Sequence, residues 1–499
     1  MGGPPCPRWT SLDVPAAGDM QGRGGRRWVD SPGRRISSVV GPFERAASRR
    51  CGLGREALAG NPSQMTQTTQ EPRNRYVDLL RFTAVCFVCV GHWLVTDISY
   101  RGGRLHGVDA LALVHWAHWL TLVFQVMPLI FLAGGYANAV SWAAHRRPDA
   151  WGGWLAERAR GLLVPTSVYV ATGTVTVAVC LLVDVDVGVL AELGWATALH
   201  LWFLPLYLAL LALTPALYAF YRRVGLWLVT ATVVLAALVN VLVLGPRLPL
   251  VGWLNYLLVW GGMYLLGFAW REGALHGARA WLMAAGGAVA WVLLITVGPF
   301  PVSLIGVPGA RIANASPPTL ALYAHAVTVI GLLVAAEGPV NRWLRKPRRW
   351  RRVSAGNRAA MGLYLWHMAP AMIAGATLYP LGLFPEVPTG TGYWWLLRVA
   401  WVGVLWVLLV PLVMAVGTLP RPPARAARAR WRTGPWLVLA AGVGTSCLAL
   451  ARIAVAGFAP SGRLPWPALL GFAAGVLLVL LACGRRQPAT GTATAAAEF

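Results

Sequence analysis

The sequence predicts an all-α, polytopic transmembrane bundle, and two observations carry that prediction. Apolar runs long enough to cross a hydrocarbon core, which takes about 20 residues, recur along a chain of 499 residues. Charge is scarce as well: 12% of residues are charged and 57% hydrophobic, with a mean hydropathy of +0.57, whereas roughly a quarter of an ordinary globular chain is charged. That balance excludes a soluble disordered or nucleic-acid-binding chain. In lipid each segment must satisfy its own backbone hydrogen bonds, and the runs lack the alternation of a β-barrel, so helices are expected.

Taken in order, spans are expected near Val77–Val95, Trp119–Trp142, Leu162–Val183, Leu199–Phe220, Leu226–Leu244, Tyr256–Phe268, Trp281–Gly298, Leu320–Ala336, Ala359–Leu378, Trp394–Val416, Pro435–Ala456 and Ala468–Cys483. That makes about twelve, the sixth short for a full crossing; about ten form a core and two follow it. Residues 1–74 are basic and rich in Gly, Pro and Ser, lack a signal-peptide core and are expected to be disordered, with Met65 an alternative start. The membrane domain is placed at 75–419, the two further helices at 434–484 and a cytoplasmic tail at 485–499.

The 43 Lys and Arg against 18 Asp and Glu give a net charge of +25, which in a soluble protein would suggest a polyanion partner. With the N-terminus in the cytoplasm, 23 basic residues fall on the inner side and 7 on or near the outer side, as the positive-inside rule requires. The excess is therefore read as orientation in a cell membrane, with no nucleic-acid partner. The run from Arg342 to Arg352 is a headgroup anchor on the same logic. Cys86 and Cys89 have CxxC spacing but lie inside an apolar helix, where they are small packing residues. No metal-ligand cluster is seen, and no metal is expected.

The first span is unusual in carrying Asp78, Arg81 and His92. At 100° per residue, Arg81 and His92 project about 20° apart and Asp78 about 40° from His92, so all three share a face. His92 lies about 16 Å farther along the helix than Arg81. Ionisable groups inside a span are costly and usually mark function, which makes these three the candidate catalytic residues. The plainer alternative is an Asp78–Arg81 ion pair with His92 as a packing hydrogen bonder.

Around this stripe the chain resembles the integral-membrane acyltransferase 3 family, which includes sugar O-acetylases. The resemblance rests on Asp78-Leu-Leu-Arg81 followed by ten residues and His92. Further elements follow in order: Phe131-Leu-Ala-Gly134-Gly135, Arg158-Ala-Arg160-Gly-Leu-Leu-Val-Pro165, His200-Leu-Trp202 and Leu363-Tyr364-Leu-Trp-His367. It covers about Arg75 to Leu419. It implies acyl-CoA, most simply acetyl-CoA, as a cytoplasmic co-substrate whose phosphates meet Arg81, Arg158 and Arg160. It also implies His92 as general base toward a hydroxyl of an extracytoplasmic glycan, lipid-linked sugar or small metabolite. Direct transfer and an acyl-histidine intermediate both fit.

His367, Tyr364, His200 and Trp202 are the candidate substrate-binding residues, each with intramembrane packing or an aromatic belt as the ordinary alternative. The rival function is a secondary transporter, suggested by the helix count. Against it, no Asp or Glu lies at mid-span, where coupled carriers commonly keep one.

Overall fold

A computed structural model of the chain describes residues 74–101, 104–145, 151–417 and 433–484. The expectations for the N-terminal region, Met65, Arg146, Arg147, the arginines from Arg421 to Arg432 and the tail lie outside these residues.

The first long helix, α1 (Arg75–Val95), starts where the Asn74 side chain accepts the Tyr76 amide, satisfying one of the first-turn donors that no helix can bond internally. It stops at Thr96, whose backbone is extended. A two-stranded antiparallel hairpin follows, β1 (Thr96–Arg101) with β2 (Arg104–Asp109), pairing Thr96 with Asp109. Asp109 caps the short α2 (Ala110–Leu113). A 3₁₀ turn (His115–Leu120) and α3 (Thr121–Phe124) then lead into α4 (Met127–Ala143).

The remaining bundle comprises α5 (Trp151–Leu182), α6 (Val187–Ala198), a 3₁₀ turn (Leu199–Trp202), α7 (Phe203–Val224), α8 (Trp227–Leu244) and α9 (Leu254–Arg271). After these come α10 (Ala278–Thr296), α11 (Leu320–Ala335), α12 (Glu337–Trp343), α13 (Pro347–Trp366), α14 (Met368–Leu378) and α15 (Gly392–Gly417). Two more helices, α16 (Thr433–Ala456) and α17 (Trp466–Gly484), close the described chain.

Among the described residues ten segments are long and apolar enough to span a membrane, eleven if α11 and α12, bent by 50°, count as one. The protein is a multi-pass membrane protein. Two expectations are corrected. The sixth segment is not short, because the 3₁₀ turn at Pro249–Trp253 extends α9 to a run of 23 residues. The expected span at Ala359–Leu378 is not one helix: the chain breaks at His367, between α13 and an α14 of 11 residues.

Small residues set the closest helix approach. A Cβ on Gly135 would overlap the Tyr264 carbonyl, and one on Gly267 would overlap the Leu132 carbonyl, so α4 and α9 meet backbone to backbone, as lipid-embedded helices do where Gly is available.

The bundle has two distinct ends. At the basic end the Glu337 carboxylate gathers three elements, accepting from Asn74 Nδ2 at 2.7 Å, Trp270 Nε1 at 2.7 Å and the His276 ring at 2.9 Å. At the hairpin end, Asp97 on β1 accepts from Arg398 Nη2 at 2.6 Å, Thr389 Oγ1 at 2.5 Å and Trp394 Nε1 at 3.2 Å. Arg398 also donates to the Thr96 carbonyl. Arg398, one of the seven basic residues read as lying on or near the outer side, is buried at the hairpin end, 2% exposed.

Candidate active site

Three imidazoles from separate elements meet near the hairpin end. His92 lies in the last turn of α1, His367 at the break between α13 and α14, and His200 in the 3₁₀ turn before α7. His92 Nδ1 lies 2.8 Å from His367 Nε2, and the two rings stack within 14° of parallel. His200 packs edge-on to His367 with ring centroids 4.8 Å apart.

The helix break decides the proton positions. Carbonyls in the last turn of a helix have no next-turn partner, and that of Tyr364 accepts from His367 Nδ1 at 2.7 Å. Since a carbonyl only accepts, His367 Nδ1 carries the hydrogen. In the neutral pair its Nε2 is then an acceptor, and His92 Nδ1–H is the donor. The lone pair of His92 is left on Nε2. The Trp93 indole pins the same break by donating to the His367 carbonyl at 2.7 Å.

Two further groups act on the backbone here. Tyr364, 5% exposed, donates its hydroxyl to the His200 carbonyl at 2.5 Å. Its phenol therefore ties α13 to the 199–202 turn. Tyr169 donates to the Thr197 carbonyl at 2.6 Å and packs edge-on to His200. Trp202 points elsewhere, into an aromatic cluster with Trp260 and Tyr256.

Above the imidazoles is a cavity of about 220 Å³. Its floor includes His92 and His200; its roof is the β1–β2 hairpin and its sides are α6 and α14. His92 is half-buried, while His367 is completely enclosed and does not line it. The hairpin is held over the cavity by Gly107 N–H donating to Glu192 of α6 at 3.0 Å and Tyr100 N–H donating to Glu386 at 2.8 Å.

The other predicted residues lie toward the basic end. Asp78 is buried and accepts from Asn357 of α13 at 2.9 Å, and His92 meets His367 just past the end of that helix, but Arg81, expected on the same face, does not share this burial. Arg81 is exposed and within electrostatic range of Arg158. Arg158 and Arg160 lie inside α5 rather than in a loop before it. Two residues apart on a helix, they project on roughly opposite faces of α5. Arg158 donates to Asn138 Oδ1 at 2.7 Å, and Asn138 donates in turn to the hydroxyls of Tyr264 and Tyr207. Thr214 bonds to Tyr264 at 2.6 Å, completing a polar cluster shared by α4, α5, α7 and α9.

Sequence reasoning missed the hairpin and the buried Arg398. The hairpin had a signal in the Gly-Gly dipeptide between Thr96-Asp-Ile-Ser-Tyr-Arg101 and Arg104-Leu-His-Gly-Val-Asp109. Arg398 had one as the single charge in an apolar helix of 26 residues.

A multi-pass bundle with paired imidazoles in its interior is suited to acid–base chemistry on a substrate held in the membrane. A family model described as an acyltransferase domain matches residues 74–416, more than half of the chain. The chain belongs to the acyltransferase 3 family and is a membrane acyltransferase, transferring groups other than amino-acyl groups. Comparison with curated proteins and with solved structures gives no match.

Proposed function

We propose that the protein is an O-acyltransferase of the cell membrane, moving an acetyl or other short acyl group from cytoplasmic acyl-CoA to a hydroxyl of an extracytoplasmic glycan, lipid-linked sugar or small metabolite. The observation that carries this reading is the His92–His367 contact beneath the hairpin-end cavity, with Arg81 and Arg158 toward the opposite, basic end.

The basic end faces the cytoplasm, in keeping with the distribution of arginines. The CoA phosphates bind at Arg81 and Arg158, where guanidinium groups suit phosphate oxygens. The thioester reaches toward His92 along a path of about 16 Å, a distance that an extended pantetheine arm covers. The acceptor enters from the hairpin end.

His92 Nε2 takes the hydroxyl proton as the acceptor oxygen attacks the thioester carbonyl. The carbon–oxygen bond forms, the carbon–sulfur bond breaks, and the imidazolium returns the proton to the departing sulfur, giving an ester and free CoA thiol. His367 holds His92 in the tautomer that places the lone pair on Nε2, the role that an orienting partner plays for a base generally. Direct transfer needs no group beyond these.

The test is transfer of labelled acetyl from acetyl-CoA on the arginine-rich side of proteoliposomes to acceptor on the other. Loss of transfer in His92→Ala is expected; equal transfer removes His92 from the mechanism.

A further inference from the structure

The buried polar cluster toward the basic end has a direction, and that direction decides how Arg158 is held. Thr214 has one hydroxyl hydrogen, and the Leu210 carbonyl, which only accepts, takes it at 3.0 Å. Thr214 Oγ1 is then the acceptor in its 2.6 Å contact with Tyr264, whose hydroxyl donates. The Tyr264 oxygen accepts in turn from Asn138 Nδ2 at 2.8 Å, and Asn138 Nδ2 also donates to Tyr207 at 3.2 Å. With its nitrogen occupied in this way, the amide has its carbonyl oxygen toward Arg158, which donates to it at 2.7 Å. Asn138 is 1% exposed, and Thr214 and Tyr264 are fully buried. Gly134, one turn earlier on α4, makes room for this: a Cβ there would lie 2.6 Å from the Tyr207 ring.

The partners of Arg158 in this arrangement are uncharged. One is the Asn138 carbonyl, and the other is the Trp154 ring, whose centroid lies 5.5 Å from the guanidinium carbon. Glu157 precedes Arg158 on α5 but is exposed, and among the described residues no carboxylate is within ion-pair distance of Arg158. Arg81, a second cation, is within electrostatic range. A carboxylate is the ordinary partner of a cation in a membrane bundle, where an unpaired charge is costly. An amide in that place orients the guanidinium and leaves its charge uncancelled for an anion.

We propose that Asn138 is a positioning residue for acyl-CoA: it fixes Arg158 toward a CoA phosphate, and being an amide it leaves the phosphate to supply the counter-charge. The hydroxyls of Tyr264 and Thr214 act through Asn138, by fixing which end of the amide faces Arg158. This rests on the acyl-transfer reading above and extends its cofactor site to residues that carry no charge.

The full-length protein in nanodiscs tests this through Asn138→Asp and Asn138→Ala, read by direct binding of CoA and by thermal unfolding. Asp matches Asn in size and accepts from Arg158 as the amide does, and the tyrosine hydroxyls can turn to donate to it. What it adds is a negative charge beside the guanidinium. Asn138→Asp is expected to raise the Kd for CoA by about ten- to a hundredfold, the range for a charge-assisted hydrogen bond. Asn138→Ala releases Arg158 but keeps its charge free, and should raise Kd by only about two- to tenfold, the cost of ordering one long side chain. Unfolding temperatures are expected in the opposite order, with Ala the less stable because it leaves a gap and strands the Tyr264 hydroxyl. CoA binding by Asn138→Asp as tight as or tighter than by Asn138→Ala overturns the proposal. An Asp variant that is worse in both measures traces the loss to packing and overturns it too.

Pantetheine, which has the thiol arm but no phosphate, separates this outcome from failure of the underlying reading. The unaltered protein is expected to bind CoA at least about tenfold more tightly than pantetheine. Equal binding of the two would leave a lipid phosphate as the anion at Arg158 and overturn the placement of CoA at the basic end, whatever the order of the variants.

Discussion

His92 and His367 meet nitrogen to nitrogen at 2.8 Å, although 275 residues separate them in sequence. Because the Tyr364 carbonyl fixes the hydrogen on His367 Nδ1, the contact gives His92 one orientation and one neutral tautomer. Removing the base by His92→Ala is expected to lower kcat by about 10²- to 10⁴-fold. His367→Ala is expected to cost roughly tenfold to a hundredfold, the range for partners that orient an imidazole, mainly in kcat. His367→Gln keeps a carbonyl that accepts from His92 Nδ1 and should recover part of the loss. Steady-state rates of the three variants check this; a Gln variant no better than Ala would show that the accepting atom is not what matters.

Arg81 is exposed, whereas Arg158 is tied into the Asn138–Tyr264 cluster. Arg81→Ala should therefore leave folding intact and raise KM for acetyl-CoA by about tenfold, equivalent to ~1.4 kcal/mol. The difference between wild type and variant should shrink as ionic strength rises, because exposed charges are screened. A salt-independent or absent effect would place the CoA phosphates elsewhere.

The Asp97–Arg398 pair is a stability element. Both partners are nearly buried, with side chains 12% and 3% exposed, and removing one leaves the other charge uncompensated. Arg398→Ala is expected to destabilise by ~3–5 kcal/mol, while replacing both partners by apolar residues of similar size should cost less. Thermal unfolding of the detergent-solubilised single and double variants checks the order. Equal losses would mean that the stranded charge is not the dominant cost.

How far the site was legible follows from where its parts come from. Helices were readable because lipid demands long apolar runs, and His92 stood out because an imidazole within such a run is conspicuous. Of the stripe of Asp78, Arg81 and His92, Asp78 and His92 meet α13 and the residue that ends it, whereas Arg81 is exposed, because helical phase fixes direction but not what packs there. What a single sequence could not show was convergence. His200 and His367 reach His92 because of a 3₁₀ turn and a helix break, and neither has a periodicity to read. Tyr364 illustrates the limit: its place three residues before His367 was visible, but its hydroxyl bonds the backbone of an element 164 residues away.

Phe458 gives a fourth expectation. It follows α16, is 1% exposed, donates its amide to the Gly194 carbonyl at 3.1 Å and packs its ring against Tyr169, which in turn touches His200. Phe458→Ala is expected to cost ~3–5 kcal/mol of stability and, in the fraction that remains folded, to raise the acceptor KM more than the acetyl-CoA KM. Unfolding midpoints and the two Michaelis constants separate these effects; a proportional change in both constants would argue against a link through Tyr169.

That same contact bears on where the working unit ends. The family match stops at residue 416, yet α16 packs on the 199–202 turn and α17 on α5. Gly173 and Gly194 are small where Phe458 and Ala459 press against them. A chain cut at the edge of the match would turn these fitted surfaces toward lipid and leave the turn bearing His200 without its outer support. Residues beyond the matched domain thus belong to the same folding unit as the histidines.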